Sequence, residues 1–312
     1  MPSFKARSIN LLLRNRHILN GKFRKETYDM NTSIQGFRDL CEKGASRYAK
    51  IPDGISIKPD SIQGIKSEWI IPAGTDEQKL VMYVHGGGYV SGSCSDHRGF
   101  VSKLAKRSGY IHLVYEYRLA PEHPFPAAVD DSVMVYRHLI QEKGFEPENI
   151  LLTGESAGGG LVLALLLALK DEKLLMPVAA VSVSPWADLT CSGESYKTKN
   201  KRSLAPTNSW LVFSKHYCGA TDPMNPLVSP LFGNPEGLPP IFINSGTDDE
   251  LFDDGKRFYL KAKEKGVDIT FRAGEGMVHC YPLFSPVFKE AKEAMDEICD
   301  FIDKHLGRKD HK

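Results

Sequence analysis

The sequence predicts an α/β protein in which helices cover both faces of a mostly parallel central sheet. From about residue 66, short runs rich in β-branched and aromatic residues alternate with segments of helical periodicity. Most of the short runs are continuously apolar, which is typical of strands buried on both faces. The predicted strands are residues 68–71, 80–85, 111–117, 150–153, 178–184, 241–245 and 269–272.

The segments between the strands predict helices, and glycines end two of them. Gly109 and Gly144 follow the first two helical patterns, where a residue of left-handed conformation commonly ends a helix. The helix that begins at residue 157 is apolar on all sides, so we expect it to be central and buried. The predicted helices are residues 97–108, 127–143, 157–170, 254–265 and 287–305.

Two regions do not fit the alternation of strands and helices. Residues 1–50 are predicted to be helical, basic and amphipathic, and they precede the first predicted strand. Residues 186–225 separate two core strands and are too long for an ordinary connection. We therefore expect a main domain over residues 51–312, with an insertion at about 186–225. This insertion and an N-terminal segment over residues 1–50 are expected to form a helical cap.

Composition excludes several classes of partner. Lys and Arg number 40 and Asp and Glu number 39, and this balance indicates neither a nucleic-acid partner nor an anionic membrane. The six cysteines are widely spaced and favour free thiols in a reducing compartment. The longest apolar run, residues 161–169, is too short to span a bilayer, and no secretory signal is recognised. The expected location is the cytoplasm.

Residues 154–158 (Gly-Glu-Ser-Ala-Gly) form a G-x-S-x-G pattern between a buried strand and a buried helix. A tight turn from strand to helix forces the serine into a strained conformation and exposes its hydroxyl at the N-terminus of the helix. The bare pattern also occurs by chance in glycine-rich turns. Its position between these two elements favours Ser156 as a nucleophile.

Residues 85–89 (His-Gly-Gly-Gly-Tyr) directly follow a predicted strand. Three consecutive glycines cost backbone entropy, so the fold must need their conformational freedom. A phosphate-binding loop is one alternative, but neither of its glycine patterns is present. Glycine runs of this kind supply the oxyanion hole of esterases and lipases. We expect the amides of Gly87, Gly88 and Ala157 to converge on an oxyanion.

A serine nucleophile requires a base and an acid that orients the base. Of the ten histidines, His279 follows the last predicted strand in a loop that contains two glycines. Cys280 is adjacent and allows a Cys–His pair as an alternative, although neighbouring side chains usually point apart. The acid is expected after the strand 241–245, where Asp248 and Asp249 are both candidates. The order serine, acid, histidine is that of α/β-hydrolases.

From about residue 66 to the C-terminus the chain resembles the hormone-sensitive-lipase-like esterases, often called bacterial family IV. In that family the acid lies six residues before a glycine, and counting back from Gly255 selects Asp249. The chain departs from the family pattern at Glu155, Glu250 and Cys280, where aspartate, proline and glycine are common. The resemblance depends on residues 85–89, 117–122, 154–159 and 184–188.

The resemblance implies a serine carboxylesterase that hydrolyses short- to medium-chain acyl esters through an acyl-enzyme. It implies a small-molecule ester as partner, no cofactor, no metal and a possible homodimer through the sheet edge. Aromatic and apolar residues near the oxyanion loop and in the cap would then contact the substrate, although simple cap packing is an equal alternative. These residues are Tyr89, Trp186, Trp210, Leu211 and Phe213.

Three other functions were weighed. The same residues would serve a deacetylase or amidase for one acylated metabolite, because a triad of this kind cleaves several acyl bonds. A ligand-binding receptor on this fold would usually lack one triad residue, whereas all three are present here. A metal-dependent hydrolase finds no H-E-x-x-H or similar ligand spacing.

Overall fold

An eight-stranded sheet forms the centre of the molecule, seen in a computed structural model that describes residues 2–19, 21, 23–46 and 50–307. The strands are β1 Ile55–Ile62, β2 Ile65–Pro72, β3 Leu80–Val84, β4 Ile111–Tyr115, β5 Ile150–Glu155, β6 Ala179–Val183, β7 Ile241–Gly246 and β8 Ile269–Gly274. Their spatial order is β1-β2-β4-β3-β5-β6-β7-β8. Strands β3 to β8 are parallel, and β2 runs antiparallel to both β1 and β4. The predicted mostly parallel sheet is confirmed.

Helices pack against this sheet, and all five predicted helices are present with shifts of at most three residues at either end. One shift has a clear cause: Ser93 caps the helix after β3, so that helix begins at Cys94 and not at residue 97. The helices are α1 Phe4–Arg14, α2 Arg16–Leu19, α3 Ile34–Ser46, α4 Cys94–Ser108, α5 Ala127–Gln141, α6 Ala157–Asp171, α7 Ser195–Thr198, α8 Ser209–Cys218, α9 Phe252–Glu264 and α10 Lys289–Leu306. Short 3₁₀ helices cover Pro147–Asn149, Asn200–Arg202, Pro230–Phe232 and Tyr281–Phe284.

Strand β1 was not predicted from the sequence. It pairs antiparallel with β2 through a turn in which Gln63 and Gly64 both have positive φ. Such two-residue turns match the twist of a hairpin. β1 lies at the sheet edge, most of its residues are partly or fully exposed, and it contains Pro59. Proline is tolerated in an edge strand, because its missing N–H can lie on the side that has no neighbouring strand. It nevertheless weakens the sequence pattern of a strand.

Helix α6 is the most deeply buried helix and places its N-terminus beside the ends of the central strands. Residues 157–169 are all buried, as the apolar pattern predicted. The helix contacts β3, β5, β6 and α5. Because it follows β5 without an intervening residue other than Ser156, the packing of α6 directly positions that serine.

The N-terminal helices and the insertion between β6 and β7 contact each other. Thr27 forms a bridge with Thr207, and the rings of Tyr28 and Phe37 pack against Phe213 of α8. The Lys25 ammonium donates hydrogen bonds to backbone carbonyls of the insertion. These contacts join the two regions next to the loops that follow β3 and β8.

Truncation of a leucine in α6 tests how far the fold depends on this helix. Leu165→Ala is expected to lower the free energy of unfolding by about 2–5 kcal/mol, because Leu165 is fully buried and a cavity would remain. Leu175→Ala, on an exposed leucine beyond the helix, is the matched control and should change it by less than about 0.5 kcal/mol. The midpoint of urea unfolding of both variants provides the measurement, and equal effects would contradict the assignment of α6 as the core helix.

Candidate active site

Ser156 occupies the turn between β5 and α6 in a strained backbone conformation. Its φ is 58° and its ψ is −123°, outside the regions that residues other than glycine usually occupy. The amide of Ser156 donates to the carbonyl of Val183, and its own carbonyl accepts from Gly160 and Trp186. These bonds hold the strained residue in place, so its hydroxyl position is set by the backbone.

The glycines two positions either side of Ser156 allow the backbone of this turn to lie against the neighbouring strand. A Cβ atom on Gly158 would lie 2.2 Å from the carbonyl oxygen of Val84 in β3. A Cβ atom on Gly154 would lie 2.6 Å from the carbonyl oxygen of Gly158. Both distances are shorter than any real contact, so alanine at either position would displace the turn.

The structure brings Ser156, His279 and Asp249 together in one hydrogen-bonded chain. The Ser156 hydroxyl oxygen lies 3.0 Å from His279 Nε2, and His279 Nδ1 lies 2.8 Å from Asp249 Oδ2. A carboxylate can only accept here, so Nδ1 carries the proton and Nε2 is left to accept from the serine. Asp249 is almost fully buried, and its other oxygen accepts from the amide of Leu251.

Two opposing effects act on the pKa of His279. Burial by itself lowers that pKa, because it disfavours the charged imidazolium. The Asp249 carboxylate and its hydrogen bond outweigh burial and raise the pKa above its ordinary value. The imidazole is thereby a stronger base than a free histidine, which suits it to accept a proton from a hydroxyl.

Asp248, the other acid considered from the sequence, points away from the histidine. Its two carboxylate oxygens bind Arg14 of α1 at 2.6 Å and Arg202 of the insertion at 2.8 Å. The two arginines lower the pKa of Asp248, although its partial burial opposes them. Asp248 thus links both parts of the predicted cap to the loop that carries Asp249.

The loop after β3 presents backbone amides beside Ser156. Within the described chain, the amides of Gly87, Gly88 and Ala157 donate to no other residue, so they remain available for a ligand. Gly88 has a φ of +66°, and a Cβ atom there would lie 2.6 Å from the Phe213 ring. The three amides are the oxyanion donors predicted from the sequence. The loop conformation that presents the amides of Gly87 and Gly88 requires glycine at these positions.

His85 supports this loop through ring stacking and a contact with the backbone. Its ring stacks on Tyr117 with centroids 4.2 Å apart, and Nδ1 lies 2.8 Å from the carbonyl oxygen of Gly86. Complete burial lowers the pKa of His85 to about 3, so the ring is neutral. An uncharged, stacked imidazole fixes the start of the glycine run.

Glu155 ties the serine turn to the oxyanion loop, a role that the sequence analysis missed. One oxygen of its buried carboxylate accepts from the amide of Gly86 at 2.5 Å and faces His97 Nε2 at 3.0 Å. The other accepts from the Tyr83 hydroxyl. Burial alone would lower the pKa of His97, but the Glu155 carboxylate raises it. The departure from aspartate at this position was noticed in the sequence, whereas its partners come from two distant segments, the end of β3 and helix α4.

Glu250 is a second buried carboxylate whose role was not predicted. Its oxygens accept from Trp210 Nε1 at 2.9 Å and from the Asn200 amide at 3.0 Å. Burial raises the pKa of Glu250. The Trp210 ring in turn meets the His279 ring edge-on, with centroids 5.6 Å apart. Glu250 therefore holds a cap tryptophan against the histidine.

Cys280 lies closer to the site than expected for a sequence neighbour of His279. Its sulfur is 3.4 Å from His279 Nε2, the same nitrogen that faces Ser156. The backbone of Cys280 is left-handed, which turns the side chain towards the imidazole. Burial raises the pKa of the Cys280 thiol, with His279 acting in the opposite direction. A protonated thiol at this place is a wall of the site.

The residues expected to contact substrate have different surroundings. Tyr89 and Trp186 are fully buried, and Tyr89 stacks on Tyr217 with centroids 3.8 Å apart. Both rings pack among neighbouring aromatic side chains, and substrate contact for these two residues stays a prediction. Leu211 is half exposed on the outer side of α8. Trp210 and Phe213 do lie next to His279 and Gly88, so for them substrate contact stays a prediction.

A cavity of about 250 Å³ opens beside His279 and Cys280. Most of its walls come from the first turns of α4 and from the segment that precedes α10. Ala45 of the predicted N-terminal cap segment lines it, and no residue of the insertion is among its lining residues. Its lining residues are Ala45, Asp96, Gly99, Phe100, Lys103, His279, Cys280, Leu283, Phe284, Ser285 and Val287.

Comparison with known proteins identifies the fold family. Residues 81–283 match a family model described as the alpha/beta hydrolase fold. The chain belongs to this family. It is 41% identical over 242 residues to an acetyl-hydrolase of Streptomyces hygroscopicus, which covers 77% of this chain and 80% of the relative. It is 37% identical over 276 residues to an esterase of Acinetobacter venetianus, covering 87% of this chain and 89% of the relative.

Solved structures of esterases superpose on almost the whole of this chain. An esterase of the bacterial hormone-sensitive lipase family superposes with a TM-score of 0.89 at 34% identity, over 98% of this chain and all of the other. An esterase/lipase from an uncultured bacterium gives the same TM-score at 35% identity, over 98% and 99%. The predicted hormone-sensitive-lipase-like carboxylesterase is confirmed: the protein is a serine carboxylester hydrolase.

The described part of this hydrolase holds neither a cluster of metal ligands nor a helix able to cross a membrane. Residues 2–19, 21, 23–46 and 50–307 hold no group of three or more His, Cys, Asp or Glu side chains placed to bind a metal ion. In the same ranges no helix combines the length and the apolar character needed to cross a bilayer.

Exchange of the two neighbouring acids distinguishes their roles. Asp249→Asn is expected to lower kcat/KM by about 10⁴, because the amide cannot hold the required imidazole tautomer. Activity should fall as the pH drops through the pKa of His279. Because Asp249 raises that pKa, the acidic limb of the residual activity should move to lower pH in the variant. Rates of p-nitrophenyl acetate hydrolysis across pH measure both effects.

Asp248→Asn is the matched control for this experiment. It removes the ion pairs to Arg14 and Arg202 but leaves the bond between Asp249 and His279, so kcat/KM should fall less than about tenfold. A larger loss in this variant than in Asp249→Asn would assign the orienting acid to Asp248.

Proposed function

We propose that the protein hydrolyses short acyl esters through an acyl-enzyme on Ser156, with His279 as base and Asp249 as orienting acid. The observation that carries this proposal is the unbroken chain of two hydrogen bonds from Ser156 through the imidazole to the Asp249 carboxylate, at 3.0 and 2.8 Å. The amides of Gly87, Gly88 and Ala157 beside it supply the second requirement, a site for the oxyanion.

In the first step, the Ser156 oxygen attacks the ester carbonyl carbon while its proton passes to His279 Nε2. The carbonyl oxygen becomes an oxyanion and accepts from the three free amides. Each donor of this kind typically contributes about 3–4 kcal/mol to the stability of the transition state. The imidazolium is stabilised by Asp249 and then protonates the departing alcohol, leaving an acyl-serine.

In the second step, a water molecule replaces the alcohol. His279 takes a proton from the water, the resulting oxygen attacks the acyl-serine, and the same amides hold the second oxyanion. Collapse of this intermediate releases the carboxylic acid and returns the proton to Ser156. No cofactor enters this proposal, since every proton and electron pair is supplied by the substrate, water and these side chains.

We assign the acyl chain to the cavity beside His279. Its volume of about 250 Å³ lies below the usual range for sites that bind drug-sized ligands, which favours a short acyl group. Phe100, Phe284 and Val287 give it an apolar part that suits an acyl chain, although Asp96 and Lys103 also line it. The relative named acetyl-hydrolase is in keeping with this limit.

Residues 1–50 and 186–225 would form the cap. Within it, Trp210 and Phe213 lie on the side next to the site.

A cytoplasmic location and a homodimer also belong to the proposal. All six cysteines are free in the structure, which suits a reducing compartment. Strand β8 lies at one edge of the sheet with no further strand beyond it among the described residues, and an edge of this kind can pair with a second copy. Cell fractionation tests the cytoplasmic location, and sedimentation velocity tests the homodimer.

The nucleophile is tested by exchanging the two candidate side chains next to His279. Ser156→Ala should reduce hydrolysis of p-nitrophenyl acetate by at least about 10⁴, because no acyl-enzyme can form. Cys280→Ala is the matched variant and should keep at least about one-tenth of the activity, since the thiol is only a wall. Activity that survives the first change and disappears with the second would make Cys280 the nucleophile.

The acyl cavity is tested by enlarging it. Phe284→Ala removes a ring from its wall and should shift the best substrate in a p-nitrophenyl ester series, from acetate to palmitate, towards longer chains. Phe301→Ala removes a similar ring that packs on Phe242 in another cluster, and should leave the preference unchanged. An unchanged preference in both variants would place the acyl chain elsewhere. Matched p-nitroanilides in the same assay test the alternative of an amidase.

A further inference from the structure

The first helix has apolar side chains on two opposite faces. Its inner face carries Ala6, Ile9 and Leu13, which pack into a cluster with Met277 and Val278. Its outer face carries Phe4, Leu11 and Leu12, which share one side of a helix because they are seven and eight residues apart. All three are more than half exposed. Large apolar residues grouped on a surface usually mark a contact with something outside the molecule.

The orientation of this outer face is fixed by bonds on the inner side. Ser3 caps the helix and donates to Glu290, and the Asn10 amide donates to the carbonyl of Gly276 at 3.0 Å. Arg14 binds Asp248 at 2.6 Å. The helix is therefore held against the body of the protein, and turning it to bury Phe4, Leu11 and Leu12 would break these bonds.

The same outer face is basic. Lys5 and Arg7 flank the apolar side chains, are exposed, and form no ion pair with any residue in the described ranges. In sequence the first 25 residues contain seven of the 40 Lys and Arg and none of the 39 Asp and Glu. The rest of the chain is consequently net negative. The near-neutral total, which suggested no membrane partner, is the sum of two regions of opposite sign.

We propose that this face of α1 docks onto an anionic lipid bilayer, lying in the plane of the membrane surface. Apolar side chains flanked by Lys and Arg on one helix face insert at the level of the lipid headgroups, while the basic groups meet lipid phosphates. Ile18 and Phe23, both more than half exposed just beyond the helix, extend the apolar part of the surface. We name Phe4, Lys5, Arg7, Leu11 and Leu12 the docking face.

A second copy of the chain is a poorer occupant of the docking face. A twofold contact would bring the Lys5 and Arg7 side chains of both copies together, and residues 1–25 offer no acid to neutralise them. An anionic bilayer satisfies the apolar and the basic groups at once. It would also lie close to the ester site, because Phe284 belongs to the cluster under α1 and to the cavity beside His279.

Vesicle flotation of the full chain tests the docking face. The protein should float with vesicles of phosphatidylcholine and phosphatidylglycerol in a roughly 2:1 ratio, should not float with phosphatidylcholine alone, and should detach as NaCl is raised. Each basic residue near an anionic surface contributes roughly fivefold to partitioning. Lys5→Glu with Arg7→Glu should thus lower it at least about 25-fold. Phe4→Ser, Leu11→Ser and Leu12→Ser combined should lower it at least about tenfold.

Two matched variants control for charge and apolarity elsewhere on the surface. The controls change exposed residues outside the docking face: one combines Lys106→Glu with Lys263→Glu, and the other is Leu175→Ser. Both should keep the partitioning of the original protein, and the leucine variant should keep it within about threefold. All variants should retain hydrolysis of p-nitrophenyl acetate and the unfolding midpoint, because the changed side chains are exposed. This readout separates loss of docking from loss of folding or catalysis.

Three results would overturn the proposal. The first is no flotation with anionic vesicles. The second is flotation that the docking-face variants do not reduce more than their controls. The third is a dimer in sedimentation velocity that the Phe4, Leu11 and Leu12 variant dissociates, since the face would then belong to a second copy.

Discussion

The close contact between the β5–α6 turn and the end of β3 is the constraint on which the site depends. Gly158 lies against the carbonyl of Val84, at a separation that leaves no room for a side chain. This contact fixes the strained backbone of Ser156 and brings the free amide of Ala157 beside those of the glycine loop. Because β3 and β5 are neighbours in a parallel sheet, Ser156 and the glycine loop emerge at the same edge. One backbone approach thus positions both parts of the site to which we assign the acyl-transfer chemistry.

The loop that follows β7 divides three consecutive acids among three tasks. Asp248 binds arginines from α1 and from the insertion, Asp249 orients His279, and Glu250 holds Trp210 and Asn200. Helix α1, the insertion and His279 are therefore connected through one short segment. Trp210 of the insertion packs against the imidazole, so a shift of that tryptophan would change the surroundings of His279.

Charge is distributed unevenly between the N-terminal segment and the body of the protein. Two of the basic side chains, Arg14 and Lys25, turn inward and attach the segment to the loop at Asp248 and to the insertion. Others, such as Lys5 and Arg7, remain on the outside next to exposed apolar residues. The inner side of the segment thus packs against the residues around the site. Its outer side is exposed, and it is the side that we propose binds a bilayer.

Local patterns in the sequence determined the α/β class and the order of strands and helices along the chain, and they predicted the turn at Ser156 and the glycine run as parts of the site. These are short-range properties, since strand periodicity, a buried helix and a G-x-S-x-G turn each depend on neighbours along the chain. Asp249 needed the spacing of a known family, because five acids within seven residues are equivalent by local criteria. Tertiary structure alone decided which partners Glu155 and Glu250 find, and that the cavity lies between α4 and the segment before α10. Those outcomes depend on contacts between residues at least 40 positions apart, about which a local pattern carries no information.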